Sequence, residues 1–457
     1  MKIVIAGAGA VGTHLAKMLS KDDQNVVLID ESIERLAKMN QDLDIMTLGA
    51  SPLSIKAQKQ AGVEGCDLFV AVTPHESENI TCCLIAKRLG AKMTVARVDS
   101  YEYVSAENKK LFAASGVDHV IYPEQIAGKE IADAVQYSWV RQWWAFDGDL
   151  VLLSVKMHDT QDPDTTNPLE TNQLLGKTLK EIGMSGHQFH VVAINRGGET
   201  IIPYGDEKIL PKDLVFFMAK RGEIDTIRHL TGKDHYPAVK QAIIIGGSKL
   251  AINTDWALPD KLSLKIIESD EKRCETLGAL TKDRTLIING YGYDTDLIND
   301  EGFGKELDAF IALTDNDEEN ILTCVAAKNR GVKKTVAMVE NMSYLSMAEQ
   351  LDIGSIVNKK TIAASYIYQH MLKADVTNVK MLTIADADVA EFVVKEGSAV
   401  TKKQVRDIGI PREVNLGGVI RNDEGMLVSG QTQLKAGDRV VVFCAGSMLK
   451  RMDKFFK

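Results

Sequence analysis

The sequence predicts an α/β protein with two doubly wound parallel sheets, each followed by a small α+β module. Three observations lead to this fold class: short apolar runs alternate with helical patterns, a glycine-rich turn follows the first run, and the arrangement recurs. Continuous apolar runs are typical of strands in a parallel sheet that helices cover on both faces. The recurrence after roughly 230 residues indicates a duplicated two-domain unit, because the repeats of a solenoid are far shorter.

The opening stretch has the pattern of a nucleotide-binding βαβ unit. An apolar run at 3–6 is followed by Gly7-Ala8-Gly9-Ala10-Val11-Gly12, a helical pattern and a second apolar run that ends at Asp30. Gly7 suits the tight turn, Gly9 lets backbone N–H groups approach a pyrophosphate, and Gly12 lets helix and strand pack closely. The phosphates would lie at the positive end of the helix dipole. The pattern predicts a Rossmann-like domain.

Asp30 indicates which class of nucleotide this site would bind. It lies at the predicted tip of the second strand, where an acidic side chain accepts hydrogen bonds from ribose hydroxyls. A carboxylate there would repel a 2′-phosphate, so NAD or an adenine nucleotide is favoured over NADP. We expect Asp30 to be exposed, so that Asp30→Ala weakens ribose binding without unfolding the protein.

The rest of the first domain alternates helix and strand. Further strands are predicted at 45–48, 67–72, 94–98 and 119–122, with helices at 33–40 and 102–115 between them. Residues 73–76 read as a capping box with proline at the first helical position. The helix that they open should end near Gly90, since glycine is a common C-terminal stop. These elements complete a six-stranded sheet by about residue 140.

After this point the strand pattern changes, and later in the chain the opening pattern recurs. Strands at 151–155, 190–194 and 214–218 are separated by polar loops without a second glycine-rich turn, which predicts a small α+β module. The polar segment 231–237 contains a proline and is interpreted as a linker. Four domains follow: Rossmann-like domains at 1–140 and 235–373, and small modules at 141–234 and 374–457. Three tryptophans, Trp139, Trp143 and Trp144, indicate either an interface or simple domain packing, with the interface slightly favoured.

The second copy departs from the first at the expected site. Gly9, Gly12, Asp30 and Arg97 correspond to Ser248, Ala251, Glu268 and Met338. The added side chains would crowd the phosphates, and a positive charge is missing. We therefore expect the second site to be weaker, altered or empty, and the acidic run at 315–319 to be a solvated helix start.

Composition narrows the functional classes. The formal net charge of -9 argues against a nucleic-acid binder or a direct binder of anionic lipid. No apolar run approaches the roughly 18 residues of a membrane span, and no signal peptide precedes the first strand. We expect a cytoplasmic chain whose membrane role would need a membrane partner. Six cysteines without a CxxC pattern suit buried free thiols, and His187 and His190 form no zinc pattern.

These features resemble the TrkA family, the peripheral regulatory subunits of bacterial and archaeal Trk potassium uptake systems, built from tandem RCK or KTN domains. The resemblance covers essentially the whole chain. It rests on the glycine motif, Asp30, residues 73–79, Ala96-Arg97-Val98 and Tyr122-Pro123-Glu124. It implies a homo-oligomeric cytoplasmic ring on a TrkH-like potassium-translocating subunit at the inner face of the cell membrane. It also implies that NAD(H) and ATP or ADP compete for one crevice and change the shape of the ring.

Position by position, the resemblance assigns the nucleotide to Gly7, Ala8, Gly9, Ala10, Val11, Gly12, Asp30, Thr73 and Arg97, with no catalytic residue and no metal ligand. Thr73 would lie beside the ribose and Arg97 would reach the phosphates. The residues alone leave alternatives: Arg97 as a surface ion pair, Thr73 as a helix cap, and Glu124 as a helix-start carboxylate. The loop after the third strand, residues 48–51, lacks the aspartate that many members carry near the adenine.

Two other functions compete with a sensor. One is an NAD-dependent oxidoreductase with a duplicated fold, and the other is a regulator of a different cation transporter or antiporter. A dehydrogenase needs a substrate domain that sets a proton donor or acceptor beside the nicotinamide. This chain instead repeats the sensor in its second half, which favours a regulator that is not an enzyme.

Overall fold

The computed structural model describes residues 1–21, 24–158, 172–301, 307–372, 376–382, 387–445 and 448–456. They form two compact units. The first contains Met1–Ile126 and Lys359–Met371, and the second contains Ala127–Asn358 and Leu372–Lys457.

The first unit is built on a parallel sheet of six strands within the described residues. The strands are β1 (Lys2–Ala6), β2 (Asn25–Asp30), β3 (Met46–Gly49), β4 (Leu68–Ala71), β5 (Thr94–Arg97) and β6 (His119–Ile121). The helices are α1 (Ala10–Lys21), α2 (Ile33–Asp42), α3 (Ile55–Gln60), α4 (Glu76–Arg88), α5 (Tyr101–Val104), α6 (Ala106–Ser115) and α7 (Pro123–Gln136). The order β3-β2-β1-β4-β5-β6 places the change of winding direction between β1 and β4, where such folds bind ligands.

Two predicted helix boundaries are wrong. Helix α4 begins at Glu76, with His75 as its N-cap and no side-chain cap hydrogen bond, so residues 73–76 form no capping box. The helix predicted at 102–115 is two helices, because Ser105 has an extended backbone (φ -60°, ψ 151°). Its hydroxyl caps α6 by accepting from the N–H of Asn108.

The core of the first unit lies between the sheet and its helices. All of β4 and nearly all of β1 and β2 are buried, as their unbroken apolar runs predict. The helix Lys359–Gln369 also belongs to this unit and packs against α1. It follows the last strand of the second parallel sheet in sequence, so a helix from the second repeat packs against a helix of the first.

The second unit contains the second parallel sheet, with the same strand order as the first. Its strands are β12 (Gln241–Ile245), β13 (Ser263–Glu268), β14 (Leu286–Asn289), β15 (Ala309–Ala312), β16 (Lys334–Met338) and β17 (Ser355–Val357). The helices of this repeat are α10 (Lys249–Ala257), α11 (Glu271–Leu280), α12 (Thr295–Asp300), α13 (Asp317–Asn329), α14 (Met342–Gln350) and α15 (Lys359–Gln369). The acidic run at 315–319 lies at the start of α13, as predicted.

Two antiparallel sheets complete the second unit. The first contains β7 (Gln142–Ala145), β8 (Leu150–Lys156), β9 (Phe189–Arg196), β10 (Glu199–Ile201) and β11 (Leu214–Lys220), with helices α8 (Leu179–Met184) and α9 (Ile224–Leu230). The second contains β18 (Val376–Met381), β19 (Ala387–Val393), β20 (Val414–Arg421), β21 (Glu424–Leu427) and β22 (Arg439–Ala445), with helix α16 (Leu449–Phe456). The strand orders β10-β9-β11-β8-β7 and β21-β20-β22-β19-β18 are equivalent.

The two antiparallel sheets share a buried apolar core. Phe216 of the first and Phe443 of the second lie with their ring centroids 5.6 Å apart. Trp139 and Trp143 are buried in the core of the first module, and Trp144 packs on the core that the two sheets share. The tryptophans therefore serve packing within this unit.

The segment 231–237 is packed and not freely extended. The guanidinium of Arg228 donates hydrogen bonds to the carbonyl oxygens of Lys233, Asp234 and Tyr236. The hydroxyl of Ser138 donates to the carbonyl of Pro237 at 2.6 Å. Thr231 and Lys233 are buried, so the connection predicted as a polar linker is held in place by side chains.

A half-buried ionic cluster ties the first small module to the second parallel sheet. The carboxylate of Asp352 accepts hydrogen bonds from Arg141 and from Lys328, the latter at 2.6 Å, and lies 3.4 Å from His158 Nε2. Burial alone would raise the pKa of Asp352, but the charges of Arg141 and Lys328 and the hydrogen bond with His158 together outweigh it and hold that pKa well below its usual range. Burial lowers the pKa of His158 to about 4.

Candidate functional site

The candidate site is the crevice at the carboxyl ends of β1, β2, β4 and β5, called the first crevice below. Gly7 has φ +108° and donates its N–H to the carbonyl of Ile29 at 2.8 Å. A Cβ on Gly12 would lie 1.9 Å from the carbonyl oxygen of Gly7, so only glycine lets α1 pack this closely. A Cβ on Gly9 would meet no heavy atom of the described residues within 4 Å. The glycines thus have different roles: Gly7 and Gly12 shape the turn, and Gly9 faces open space.

The first turn of α1 presents backbone donors to this space. The N–H groups of Ala10, Val11 and Gly12 lie where an α-helix has no intrahelical acceptor for them. Together with the helix dipole, they favour an anion at this end of the helix. A pyrophosphate is the group that such a turn accepts in dinucleotide-binding folds.

Asp30 is buried, with 9% of its surface exposed, so the expectation of an exposed residue is wrong. Its Oδ2 accepts the N–H of Ala8 at 2.6 Å, and its Oδ1 accepts the N–H of Ser32 at 2.7 Å. The carboxylate therefore ties the glycine turn to the tip of β2. Each carboxylate oxygen has a second lone pair, so the side chain can still accept a hydrogen bond from a ligand.

Asn79 joins the ends of β4 and β5, a role that the sequence analysis missed. Its Oδ1 accepts the N–H of Thr73 at 2.8 Å, and its Nδ2 donates to the carbonyls of Thr73 and Arg97 at 3.0 and 2.9 Å. Asn79 is 1% exposed. The signal that could have revealed it is the recurrence of Glu-Asn-Ile after the fourth strand in both repeats.

Thr73 lies at the end of β4 beside the glycine turn. A Cβ on Gly7 would be 3.0 Å from the Thr73 nitrogen, and the Thr73 hydroxyl accepts the N–H of His75 at 3.3 Å. This hydroxyl does not cap α4, whose N-cap is His75. The same hydroxyl lies 3.3 Å from the His75 carbonyl oxygen and 3.3 Å from Oε2 of Glu78 in the first turn of α4. Thr73 is thus in the first crevice, but its hydroxyl bonds only to residues that follow it closely in the chain.

Arg97 forms the ion pair that the sequence allowed as an alternative. Its Nη2 lies 3.1 Å from Oε1 of Glu124, in the first turn of α7. The side chain of Glu124 is 8% exposed and that of Arg97 is 26% exposed. Arg97 ends β5 at the carboxyl edge of the sheet and keeps part of its guanidinium at the surface.

The second crevice, at the carboxyl end of the second parallel sheet, keeps the backbone pattern but changes its surroundings. Glu268 accepts the N–H of Gly247 at 2.7 Å and that of Asp270 at 2.8 Å, in the manner of Asp30. Arg273 donates its Nε to the carbonyl of Gly247 at 2.6 Å. The Ser248 hydroxyl accepts the N–H of Ala251. Side chains of the chain itself therefore occupy the turn that Gly9 leaves open in the first repeat.

The remaining side chains give little sign of other chemistry. Within the described ranges, no group of three or more His, Cys, Asp or Glu side chains could hold a metal ion. All six cysteines are free, and five of them are buried. No helix in the described part of the chain has the length and apolar character needed to cross a membrane.

Two domain models match the chain, each of them twice. The TrkA-N domain matches residues 3–123 and 242–359, and the TrkA-C domain matches residues 169–232 and 389–457. The chain belongs to the TrkA family. The alternating matches also confirm the repeat that the motifs predicted.

Curated members of the TrkA family have nearly the same length as this chain. The chain is 28% identical over 448 residues to the Trk system potassium uptake protein TrkA of Halomonas elongata, which covers 97% of this chain and 95% of the relative. It is 29% identical over 450 residues to the protein of the same name from Vibrio alginolyticus, with 97% and 95% covered. A TrkA homolog of Archaeoglobus fulgidus is 28% identical over 461 residues, and the match covers 100% of this chain and 100% of the relative.

Solved structures similar to this TrkA-family chain are RCK domains. The crystal structure of the GsuK RCK domain has a TM-score of 0.62 and 14% identity, covering 100% of this chain and 94% of that chain. The GsuK channel bound to NAD has a TM-score of 0.61 and 14% identity, covering 100% and 78%. At such identities the similarity concerns the fold. It confirms the predicted class of two Rossmann-like domains, each followed by a smaller module.

Proposed function

We propose that this protein is a nucleotide-sensing regulatory subunit that acts on a membrane potassium-translocating partner and is not itself an enzyme. In this proposal NAD(H), or ATP or ADP in competition with it, binds in the first crevice. The protein acts as a homo-oligomeric ring on the cytoplasmic face of the cell membrane. It inserts no segment into the bilayer and binds no nucleic acid.

The observation that carries the proposal is the open space at Gly9 above the first turn of α1. The donors of this turn converge where a pyrophosphate would lie, and Asp30 holds the turn against the tip of β2. Thr73 and Arg97 stand on the neighbouring strand ends. Relatives of the chain are named Trk system potassium uptake proteins, which supports a membrane partner that translocates potassium. A structure of the GsuK channel bound to NAD supports the proposed class of ligand.

The proposed mechanism follows from the thermodynamic linkage between ligand binding and the conformation of the ring. A ligand shifts an equilibrium between two conformations only as far as its affinities for them differ. The first crevice combines strand ends with the first turn of α7, whose Glu124 pairs with Arg97. A nucleotide that contacts these elements unequally in two ring shapes would favour one shape and so open or close the membrane partner.

Calorimetry on the full chain tests the ligand. We expect saturable binding of NADH and of ATP at micromolar to millimolar concentrations, with each displacing the other. The matched variant is Gly9→Ala, which should weaken binding roughly tenfold or more and preserve the fold. An absence of saturable binding by the wild type would refute the nucleotide-sensing role.

Co-purification tests the partner and separates the rival functions. We expect the chain to co-purify with a membrane potassium-translocating subunit and NADH or ATP to change potassium flux through that subunit in vesicles. Association with a sodium or proton antiporter would indicate a different transporter. Consumption of NADH with a small metabolite would indicate an oxidoreductase.

A further inference from the structure

Two exposed aromatic rings lie at the second crevice, just after the end of β14. They belong to Tyr291 and Tyr293, called the tyrosine pair below, which expose 55% and 63% of their surfaces. Their ring centroids are 5.2 Å apart and their planes differ by 25°, so the rings stack on each other. Stacking uses one face of each ring, and the exposure leaves further ring surface to solvent. Ring surface of this kind is what a planar heterocycle stacks on.

The backbone holds the tyrosine pair above the tips of β12 and β13. The N–H of Gly290 donates to the carbonyl of Glu268, the last residue of β13, at 3.0 Å. A Cβ on Gly292 would lie 2.8 Å from the side chain of Ile245, the last residue of β12. The backbone between the two tyrosines therefore rests on the central strand of the sheet, and the pair is fixed within the second crevice.

The first repeat has no aromatic ring at these positions. Ala50 donates its N–H to the carbonyl of Asp30 at 3.0 Å, which is the counterpart of the Gly290 bond. Counting from this bond, the tyrosine pair replaces Ser51 and Leu53. A ribose in such a fold binds at the tip of the second strand, so the attached base extends over the neighbouring edge strand. The second repeat thus has a stacking surface where a base would lie.

Glu268 keeps an acceptor for a ribose hydroxyl. Its Oε2 accepts the N–H of Gly247 at 2.7 Å, and a carboxylate oxygen has a second lone pair. The side chain is 12% exposed, so the carboxylate reaches the surface of the crevice. The second crevice can therefore bind both the sugar and the base of a nucleoside.

Charge and hydrogen bonding in the second crevice disfavour a phosphate. The Ser248 hydroxyl accepts the N–H of Ala251, one of the donors at the start of α10. Arg273 donates to a carbonyl of the glycine turn at 2.6 Å and lies 4.0 Å from Oε2 of Glu268, which offsets its charge. Asp315, exposed just after β15, adds a negative charge. A phosphate would meet carboxylates here and would find the turn already bonded.

We propose that the second crevice binds an unphosphorylated purine nucleoside. The base stacks on the tyrosine pair, and a ribose hydroxyl donates a hydrogen bond to Oε2 of Glu268. A neutral ligand brings no charge toward the carboxylates and needs no donor from the start of α10. This site is separate from the one in the proposed function and does not depend on nucleotide binding in the first crevice.

Calorimetry with adenosine, in saturating ATP to fill the first crevice, tests this site on the full chain. We expect one adenosine per chain. AMP should bind at this site roughly fivefold or more weakly, because its phosphate approaches the carboxylates. Displacement of adenosine by ATP, or tighter binding of AMP than of adenosine, would overturn the choice of an unphosphorylated ligand.

Variants of the tyrosine pair test the stacking. Combining Tyr291→Ala with Tyr293→Ala should weaken adenosine binding roughly 5- to 150-fold, the range of base–aromatic stacking, and should leave the melting curve unchanged because both rings are exposed. Combining Tyr291→Phe with Tyr293→Phe keeps both rings and is the matched control. Tyr101→Ala removes a ring that is 65% exposed in the first unit. Both controls should keep the wild-type affinity for adenosine.

Hydrogen exchange locates the ligand independently of affinity. Adenosine should slow amide exchange at residues 290–293, and ATP alone should not. If adenosine shows no saturable binding, or binds the double alanine variant as tightly as the wild type, the nucleoside site is refuted while the proposed function stands. If ATP fails to bind but adenosine binds and requires the tyrosine pair, the proposed function is refuted and the nucleoside site stands.

Discussion

Gly9→Ala should separate ligand binding from folding. In the first crevice a Cβ at this position meets no heavy atom of the described residues within 4 Å, so the methyl group needs no rearrangement. Replacing glycine by alanine at a compatible backbone position changes stability by about 1 kcal/mol or less. The same methyl would stand where the backbone must approach a pyrophosphate. We expect nucleotide affinity to fall roughly tenfold or more, equivalent to at least ~1.4 kcal/mol.

Gly12→Ala should destabilise the fold as well as weaken binding. Its Cβ would lie 1.9 Å from the carbonyl oxygen of Gly7, a contact that forces α1 away from β1. Overpacking of this kind typically costs about 1–3 kcal/mol. For a unit of this size, such a loss lowers Tm by roughly 3–10 °C. Affinity should fall as well, because the turn that presents the donors is displaced.

Thermal unfolding and calorimetry on the two variants together check the reasoning. Gly9→Ala should keep the wild-type Tm within about 3 °C and bind nucleotide roughly tenfold or more weakly. Gly12→Ala should lower both Tm and affinity. Wild-type affinity in Gly9→Ala would show that no pyrophosphate passes Gly9, and the assignment of the site to this turn would be wrong.

Three further predictions follow from the contacts. Asp30→Ala should lower Tm as well as affinity, because it leaves two backbone N–H groups without their acceptor at about 1–3 kcal/mol each; an unchanged melting curve would contradict this role. Burial, and then the charge of His119, lowers the pKa of His370 to about 4, and burial likewise lowers the pKa of His158 to about 4. The unfolded chain therefore binds protons near pH 6.5 that the native state does not. As pH falls from about 6.5 to 4, the free energy of unfolding should decrease by up to ~1.4 kcal/mol per pH unit per histidine. Thermal melts of His370→Gln should show a weaker pH dependence. Because Arg273 occupies the second turn, calorimetry should give one nucleotide per chain, and a stoichiometry of two would contradict this expectation.

The first βαβ unit was predictable because its constraints are local. The strand, the glycine turn, the helix and the second strand follow each other directly, and β1, α1 and β2 are observed where the pattern placed them. Strand β4 was predicted at 67–72 and spans Leu68–Ala71 for the same reason, since an unbroken apolar run must be buried on both faces. The repeat then transferred the same topology to the second sheet.

The wrong predictions concern residues whose roles were inferred from their immediate neighbours in the chain. In the structure, another part of the crevice forms a hydrogen bond with each of these residues. Thr73 was expected to open a helix, but the amide of Asn79 takes its N–H and its carbonyl, so α4 starts at Glu76. Asp30 was expected to be exposed, yet the turn folds back so that Ala8 donates to it. In both cases the partner lies in another part of the crevice. Composition and spacing within one repeat do not reveal such a bond, although the recurrence of Glu-Asn-Ile in both repeats singles out Asn79.

The two repeats show how one backbone supports unequal sites. Asp30 and Glu268 make the same two backbone contacts, and Asn79 and Asn320 make the same bridges between strand ends. These bonds hold the turn and the sheet edge, so they are needed whether or not a ligand binds. The repeats differ at Gly9, which becomes Ser248, at Gly12, which becomes Ala251, and at Arg97 with Glu124, which become Met338 with Lys360. A fold that keeps the shared bonds and varies these positions can keep one repeat for the nucleotide and use the other as a framework.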